Sequence, residues 1–197
     1  MKTTSNRYVV VDLEATSTGS KAKIIQVGIV VIEDGKIVDQ YTTDVNPHEL
    51  LDSHIKDLTG LTDQRLAQAP DFSQVARDIF NLVENGIFVA HNVQFDANLL
   101  AEHLFFEGYE LRTPRVDTVE LAQVFFPKLE KYSLSFLCRE LGISLKHAHT
   151  ALSDAQATAE LLLLLRKKIS QLPKVLLERL LSLSDALLYE SYLVIEE

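Results

Sequence analysis

The chain has 197 residues, of which 47% are apolar, and this fits one domain of ordinary size with a substantial core. Its net charge of −9 argues against tight binding of long duplex DNA, because attraction to phosphates normally requires a basic surface. The single cysteine, Cys138, excludes an internal disulfide and predicts a buried thiol in a reducing compartment. Since the N-terminus lacks the apolar run of a signal peptide and no apolar stretch is long enough to span a bilayer, we expect a cytoplasmic protein with no membrane role.

The first predicted element is a buried strand within residues 8–16, where three consecutive valines are followed by Asp12 and Glu14. Side chains alternate along a strand, so these two carboxylates face the same side, where they repel each other and lose hydration. A divalent cation would relieve the repulsion, and open α/β sheets place their sites at the carboxyl ends of central strands. An isolated Asp-x-Glu is more often a strand end that reaches solvent, so this pair needs partners elsewhere in the chain.

The pattern after this strand alternates between strands and amphipathic helices. Two strands joined by an Asp-Gly hairpin signal come first, and the last long helix follows a polar loop at residues 146–150. In chain order, the predicted elements after the first strand are strands 24–32 and 37–45, a short helix and loop at 51–62 with the helix ending at Gly60, a helix capped by Asp71, strand 87–90, a helix from about Phe95 to Gly108, strand 115–117, a helix capped by Asp117 or Thr118, a helix from Ser133 to Gly142, and a helix at 151–168.

The C-terminal part is unusually rich in leucine. A helix is expected to start at Pro173, and the following residues include Leu176, Leu183 and Leu188. We therefore expect an enzyme domain at residues 1–170 and a helical extension at residues 171–197. The extension either packs on its own domain as a helical hairpin or docks another chain or domain.

Two more aspartates and a histidine lie where helices begin. Asp96 falls in the first turn of the helix after the fourth strand, and Asp154 falls in the first turn of the long helix, five residues after His149. Singly, such an aspartate usually just interacts favourably with the helix dipole. Together with Asp12 and Glu14 they supply hard oxygen donors and one group that titrates near neutrality, at one end of one α/β layer. This inventory fits a site for two metal ions.

Three short segments resemble the motifs of a known family. They read VDLEAT at residues 11–16, HNVQFD at 91–96 and HTALSD at 149–154, and they resemble the three exonuclease motifs of the DnaQ-like family, in its histidine-bearing DEDDh branch. The resemblance covers roughly residues 7–169 and is most pronounced to the exonuclease domains at the N-termini of Gram-positive DinG-type proteins. It implies a ribonuclease H-like α/β fold, with a five-stranded mixed sheet in which the second strand is antiparallel to the rest and helices cover both faces.

The resemblance also implies a catalytic set. Asp12, Glu14, Asp96 and Asp154 would bind two divalent cations, Mg²⁺ or Mn²⁺, and would form the catalytic site together with His149 as general base. His147 is the competing histidine, but His149 has the family's five-residue offset from Asp154. The family's tyrosine branch is excluded, because Thr150 occupies the position of its catalytic tyrosine.

Substrate contacts are implied for five residues: Ala15, Thr16, Leu61, Asn92 and Phe95. The backbone at Ala15 and Thr16 would contact the terminal nucleotide, and Leu61 belongs to a segment that resembles the loop beside it. Phe95 is either a stacking platform or a core residue. Ser17 departs from the family, which commonly has glycine after the threonine of the first motif, and a shifted loop there would alter substrate preference.

The expected function is metal-dependent 3′→5′ exonuclease activity that releases nucleoside monophosphates from single-stranded DNA ends. One alternative is an exoribonuclease or oligoribonuclease, because the choice depends on contacts to a 2′-hydroxyl. Another is a non-catalytic module that tethers nucleic acid, whose signature would be the loss of an acidic ligand. The expected partners are DNA 3′ ends and, through the C-terminal helices, a helicase or polymerase. Helicase activity in this chain is not expected, because Gly35-Lys36 is followed by Ile37 instead of the serine or threonine of a phosphate-binding loop.

Overall fold

The computed structural model describes residues 7–182 and 187–195. Its elements follow the predicted alternation, with two short helices between the third and fourth strands. They are β1 (Tyr8–Ala15), β2 (Ile24–Glu33), β3 (Lys36–Asp44), α1 (Ser53–Thr59), α2 (Asp63–Leu66), α3 (Phe72–Val83), β4 (Ile87–Ala90), α4 (Val93–Phe106), β5 (Arg115–Asp117), α5 (Thr118–Phe125), α6 (Leu134–Leu141), α7 (Ala151–Ser170), α8 (Lys174–Leu181) and a final 3₁₀ turn (Glu190–Val194).

Within the described residues, five strands form one mixed sheet in the order β3-β2-β1-β4-β5. β2 is antiparallel to both of its neighbours, whereas β1, β4 and β5 run parallel. The predicted ribonuclease H-like arrangement is therefore confirmed. Pairing of β1 with β4 ends at Val10 and Val89, while β1 continues beside β2 as far as Ala15. The carboxyl end of β1 thus projects past β4, and this opens the space in which Asp12 and Glu14 lie.

Helices cover both faces of the sheet and enclose two apolar layers. Val9 and Val11 of β1 pack in a layer that includes residues of α3 and α4, whereas Tyr8 and Val10 pack with residues of α5, α6 and α7. The alternation of β1 therefore directs Asp12 to the side of the sheet that α7 covers, together with Glu14. Cys138 is buried, as predicted.

Several helix ends follow from local signals that the sequence contains. Gly60 and Gly142 adopt left-handed φ values of 71° and 72° at the ends of α1 and α6, and Asp71 and Gln74 form a capping box at the start of α3. α4 begins at Val93, two residues before the expected start at Phe95.

A distant carboxylate caps the start of α4. The Asp117 side chain accepts hydrogen bonds from the N–H groups of Asn92 and Val93, at 3.1 and 3.2 Å, while it also caps its own helix α5 through the N–H of Val119. A cap supplied from another strand has no signature in the local sequence around Asn92.

The C-terminal region makes two kinds of contact. Helix α8 carries exposed apolar residues, among them Val175 (74% exposed) and Leu176 (47% exposed). Farther on, Glu190 and Ser191 accept hydrogen bonds from the backbone N–H groups of Arg115 and Asp117, so the final turn lies along the edge strand β5. Leu183 of the leucine-rich prediction lies outside the described residues, as do residues 1–6 and 196–197. No helix in the described part of the chain is long and apolar enough to cross a membrane.

Candidate active site

Asp12 and Glu14 lie in a poorly solvated position at the end of β1. Burial raises the pKa of Asp12 well above its usual value, and the charges of Asp96, Asp154 and Glu14 raise it further. Burial and the charge of Asp154 raise the pKa of Glu14 to about 7. The two β1 carboxylates are therefore close enough to interact electrostatically with the aspartates of α4 and α7. We call these four residues, Asp12, Glu14, Asp96 and Asp154, the acidic cluster.

Asp96 is attached directly to the strand between these two carboxylates. Its side chain is buried, and its Oδ1 accepts a hydrogen bond of 2.9 Å from the N–H of Leu13. Burial raises the pKa of Asp96 to about 8, although the hydrogen bond from Leu13 opposes that shift. Because α4 starts directly after β4, the cap at its first residues sets the position of Asp96 against β1.

The first turn of α7 brings the remaining predicted residues to the same place. Asp154 is 8% exposed, and its Oδ2 accepts a hydrogen bond of 2.8 Å from the backbone N–H of His149. Burial raises the pKa of Asp154, opposed by this hydrogen bond and by the charge of His149. One donor atom each from Glu14, His149 and Asp154 lies within 4.8 Å of the others.

His149 and His147 occupy different surroundings, although only one residue separates them. His149 adopts a left-handed φ of 64° and approaches the carboxylates. His147 instead lines a cleft of about 500 Å³ between β3 and the start of α7, together with Gln40 and Lys146. The structure therefore groups His149, and not His147, with Glu14 and Asp154.

The structure separates the five predicted substrate residues. Asn92 and Phe95 line a cleft of about 350 Å³ between α4 and the loop after β1, which contributes Thr18, Gly19, Ser20 and Ala22. Leu61, in contrast, is only 2% exposed and packs against Ile25 in a small cluster under α1. Within the segment 58–61 the exposed apolar side chain is Leu58.

The loop after β1 is closed by backbone contacts at the point where Ser17 departs from the family pattern. The N–H of Thr16 donates to the carbonyl of Lys23 at 2.9 Å, and the Thr16 hydroxyl accepts from the N–H of Lys23 at 3.2 Å. Ala15 is nearly buried beside this closure. The Ser17 hydroxyl accepts a longer contact from the N–H of Gly19, at 3.4 Å, on the exposed side.

Gly28 also contributes to the geometry of the site, although it was not among the predicted site residues. It pairs with Asp12 in the sheet, and a Cβ at this position would lie 2.2 Å from the carbonyl carbon of Ala151 and 2.4 Å from the N atom of Leu152. Only glycine allows the backbone of α7 to approach β2 so closely. A glycine inside a largely apolar strand was the signal for such a close approach.

The acidic cluster fits a divalent cation on grounds of its own chemistry. Carboxylate oxygens are the donors that Mg²⁺ and Mn²⁺ prefer, and a cation would offset the burial and mutual repulsion that raise these pKa values. Asp154 Oδ1 is also buried without a hydrogen-bond partner among the described residues. A buried carboxylate oxygen left in this state fits coordination to a cation. The fold is therefore ribonuclease H-like, and this donor set is a candidate site for divalent cations.

The exonuclease family model RNase T matches residues 9–162. The 3′-5′ exonuclease DinG of Bacillus subtilis (strain 168) is 38% identical over 182 residues, which are 91% of this chain and 20% of that protein. A PolC-type DNA polymerase III of Clostridium perfringens is 38% identical over 167 residues, which are 84% of this chain and 12% of that protein. The chain belongs to the RNase T family of exonucleases, and the resemblance to DnaQ-like exonucleases is confirmed. It spans about a fifth or less of the length of these relatives.

Solved structures share the fold. Exonuclease X in complex with 5′-overhanging duplex DNA has a TM-score of 0.68 at 23% identity, covering 84% of this chain and 94% of that one. The zinc-bound form of an E. coli exonuclease I complex with single-stranded DNA has a TM-score of 0.76 at 17% identity, covering 85% and 42%. A nuclease domain described as a DEDDh family member bound to rAMP has a TM-score of 0.73 at 15% identity, covering 85% and 95%.

Proposed function

We propose that this exonuclease removes nucleoside monophosphates from the 3′ ends of single-stranded DNA with the help of two divalent cations. The observation that carries the proposal is the meeting of half-buried carboxylates from β1 with buried ones from α4 and α7 beside His149, in a chain of the exonuclease family. Buried carboxylates with raised pKa values in such a cluster are characteristic of functional sites.

Asp12, Glu14, Asp96 and Asp154 are the proposed ligands of the cations, Mg²⁺ or Mn²⁺. Bound there, the cations would supply an activated water and charge stabilisation for the leaving 3′ oxygen of an in-line displacement. Backbone hydrogen bonds anchor two of these carboxylates, since the N–H of Leu13 holds Asp96 and the N–H of His149 holds Asp154.

His149 is the proposed general base. Its backbone N–H is fixed by Asp154 while its side chain is exposed, so the imidazole reaches solvent from an anchored position. From this position the imidazole can take a proton from the attacking water and release it to solvent.

The proposed place of the terminal nucleotide is the cleft lined by Asn92 and Phe95, with the backbone of Ala15 and Thr16 as proposed further contacts. A base stacked on the Phe95 ring would be held without regard to its identity, because every base has a flat face. The segment around Leu61 would contribute through its backbone or through Leu58, because the Leu61 side chain is buried. The net charge of −9 agrees with contact to a short strand end and weak affinity for long duplex.

DNA is the favoured substrate because the relatives named DinG and PolC are a 3′-5′ exonuclease and a DNA polymerase, and two fold neighbours are bound to DNA. RNA is the second candidate, in line with the DEDDh neighbour bound to rAMP. A non-catalytic tethering role is disfavoured, because the four acidic residues of the predicted set are all present.

We also propose that residues 171–197 extend the exonuclease domain, residues 1–170, and present α8 to a helicase or polymerase region. The exposed Val175 and Leu176 and the larger size of the DinG and PolC relatives support this. Serine at both positions should leave the exonuclease rate unchanged and abolish association with the helicase region of a DinG-type protein. Unchanged association would contradict the proposed surface.

The experiment that tests the activity follows the shortening of 5′-labelled DNA and RNA strands of matched sequence, with Mg²⁺, Mn²⁺ or EDTA. We expect a ladder of products shortened from the 3′ end of the DNA. Degradation should require a divalent cation and should be blocked by a 3′-phosphate. Asp12→Ala should lower the rate at least about 100-fold. Asp39→Ala, which changes an exposed aspartate on β3, should not. Undiminished digestion by Asp12→Ala would refute the mechanism, and faster digestion of RNA would favour the second candidate.

A further inference from the structure

A buried glutamine, Gln26, lies on β2 next to the acidic cluster. Gln26 lies directly opposite Glu14 in the pairing of β2 with β1, in a strand that is otherwise apolar up to its last residue. Gln26 as a whole is only 6% exposed. A buried amide group is destabilising unless both its oxygen and its nitrogen find partners.

Both ends of this amide are paired, and the partners fix its orientation. Oε1 accepts a hydrogen bond of 2.9 Å from the N–H of Ala151, the first residue of α7. Nε2 donates a hydrogen bond of 2.8 Å to Asp44 at the end of β3, and Arg65 Nη2 donates to the same Asp44 oxygen at 2.9 Å. Because a backbone N–H only donates and a carboxylate only accepts, an amide suits this position in one orientation.

The contact at Ala151 supplies a cap that α7 otherwise lacks. The first N–H groups of a helix have no partners inside the helix. The hydroxyl of the preceding residue, Thr150, donates to the carbonyl of His147 instead of accepting from α7. Gln26 therefore caps α7 from the neighbouring strand, at a sequence separation of 125 residues.

We infer that Gln26 is a positioning residue for the exonuclease reaction: by capping α7 from β2, it holds Asp154 and the attached His149 in register with Glu14. Asp44 and Arg65 hold Gln26 in turn. The inference rests on the proposed function, since it assigns Gln26 to the same site. This role acts through α7 and requires no contact between Gln26 and substrate.

A second contact between α7 and the sheet allows positioning to be separated from simple attachment. Gln156 Nε2 donates to Gln40 Oε1 at 2.8 Å, so this pair also joins α7 to β3, but on the exposed surface. If attachment of α7 were all that mattered, loss of either contact would have the same effect. If positioning matters, only the contact in the first turn of α7, next to Asp154, should affect catalysis.

The test compares Gln26→Leu, Gln26→Glu and the double variant Gln26→Glu/Asp44→Asn, with Gln40→Ala as the matched control. Gln26→Leu should lower kcat roughly 10- to 100-fold, the range typical of residues that orient metal ligands, with KM for the oligonucleotide within about threefold. Gln26→Glu should also lower kcat, because two carboxylates then face each other. The double variant restores an amide–carboxylate pair at unchanged net charge, although the amide nitrogen introduced by Asp44→Asn then faces Arg65 Nη2, so kcat should recover at least about threefold from the value of Gln26→Glu without reaching that of wild type. Gln40→Ala should stay within about twofold of wild type.

Hydrogen exchange of the Ala151 amide provides a readout that does not depend on catalysis. It should speed up at least about tenfold in Gln26→Leu and recover in the double variant, because an N–H without its acceptor is less protected. Wild-type kcat in Gln26→Leu, or no recovery in the double variant, would overturn the role of Gln26. The pair of Gln26→Glu and its double variant decides the question if Gln26→Leu does not fold. A wild-type chain that degrades neither DNA nor RNA would instead overturn the proposed function.

Discussion

Replacing Gly28 with alanine should displace the first turn of α7 and inactivate the enzyme without unfolding it. The new Cβ would lie 2.2, 2.3 and 2.4 Å from backbone atoms of Ala151 and Leu152. Carbon atoms in ordinary contact are about 3.5 Å apart, so the two backbones must separate by about 1 Å. Asp154 lies in the displaced turn and would move away from Asp12, the sheet partner of Gly28.

The expected magnitudes follow from that displacement. Overpacking of a well-packed core costs about 1–3 kcal/mol, which for a chain of this size lowers the melting temperature by roughly 2–4 °C per kcal/mol. A misplacement of about 1 Å in a catalytic group lowers the rate about 100-fold. Gly28→Ala should therefore lose far more activity than stability.

Gly86→Ala is the matched control. Its Cβ would lie 2.6 Å from a side-chain atom of Val9 and 3.1 Å from both a side-chain nitrogen and the backbone oxygen of Arg7, so it also overpacks the domain, but at the opposite end of β1. We expect a comparable loss of thermal stability with kcat within about threefold of wild type. The assay is the oligonucleotide ladder together with thermal unfolding. Wild-type kcat in Gly28→Ala would refute the view that close contact of α7 with β2 aligns the carboxylates.

Three more predictions concern individual side chains. His149→Ala should lower kcat at least about 100-fold, whereas His147→Ala should change it less than about twofold; the reverse result in the ladder assay would assign the general base to His147. Phe95→Ala should raise KM for a single-stranded oligonucleotide about 5- to 100-fold, as expected for the loss of one stacked base, while Phe106→Ala should leave KM unchanged because that exposed ring lies at the far end of α4. An unchanged KM in Phe95→Ala would make Phe95 a core residue only. Burial raises the pKa of Glu14 from 4.5 to about 7 in the folded protein. In EDTA, the stabilisation that follows from this shift is fully present below the pKa of the unfolded chain, 4.5, and is lost as the pH rises through 7. Thermal unfolding should therefore show that Mg²⁺ raises the melting temperature more at pH 8 than at pH 6, and that Glu14→Gln reduces this difference; an equal Mg²⁺ effect at both pH values would contradict the role of the carboxylate.

Much of the architecture was predictable because it depends on neighbours in the chain. Strand alternation directs Asp12 and Glu14 to one side of β1, and left-handed glycines end α1 and α6 where the sequence indicated. The position of Asp96 in a first turn also followed from the helical pattern, although the start of α4 was displaced by two residues. These features involve contacts within a few residues, and composition and spacing reveal them directly.

The sequence by itself determined which residue types stand at the end of β1 and at the starts of α4 and α7. Only the tertiary structure decided how they meet. The strand order β3-β2-β1-β4-β5 places Asp117 at the start of α4 and Gln26 at the start of α7, and it buries Leu61 away from the cleft that Phe95 lines. The physical reason is range: a cap or a close backbone contact between distant segments depends on the packing of the sheet and has no local signature.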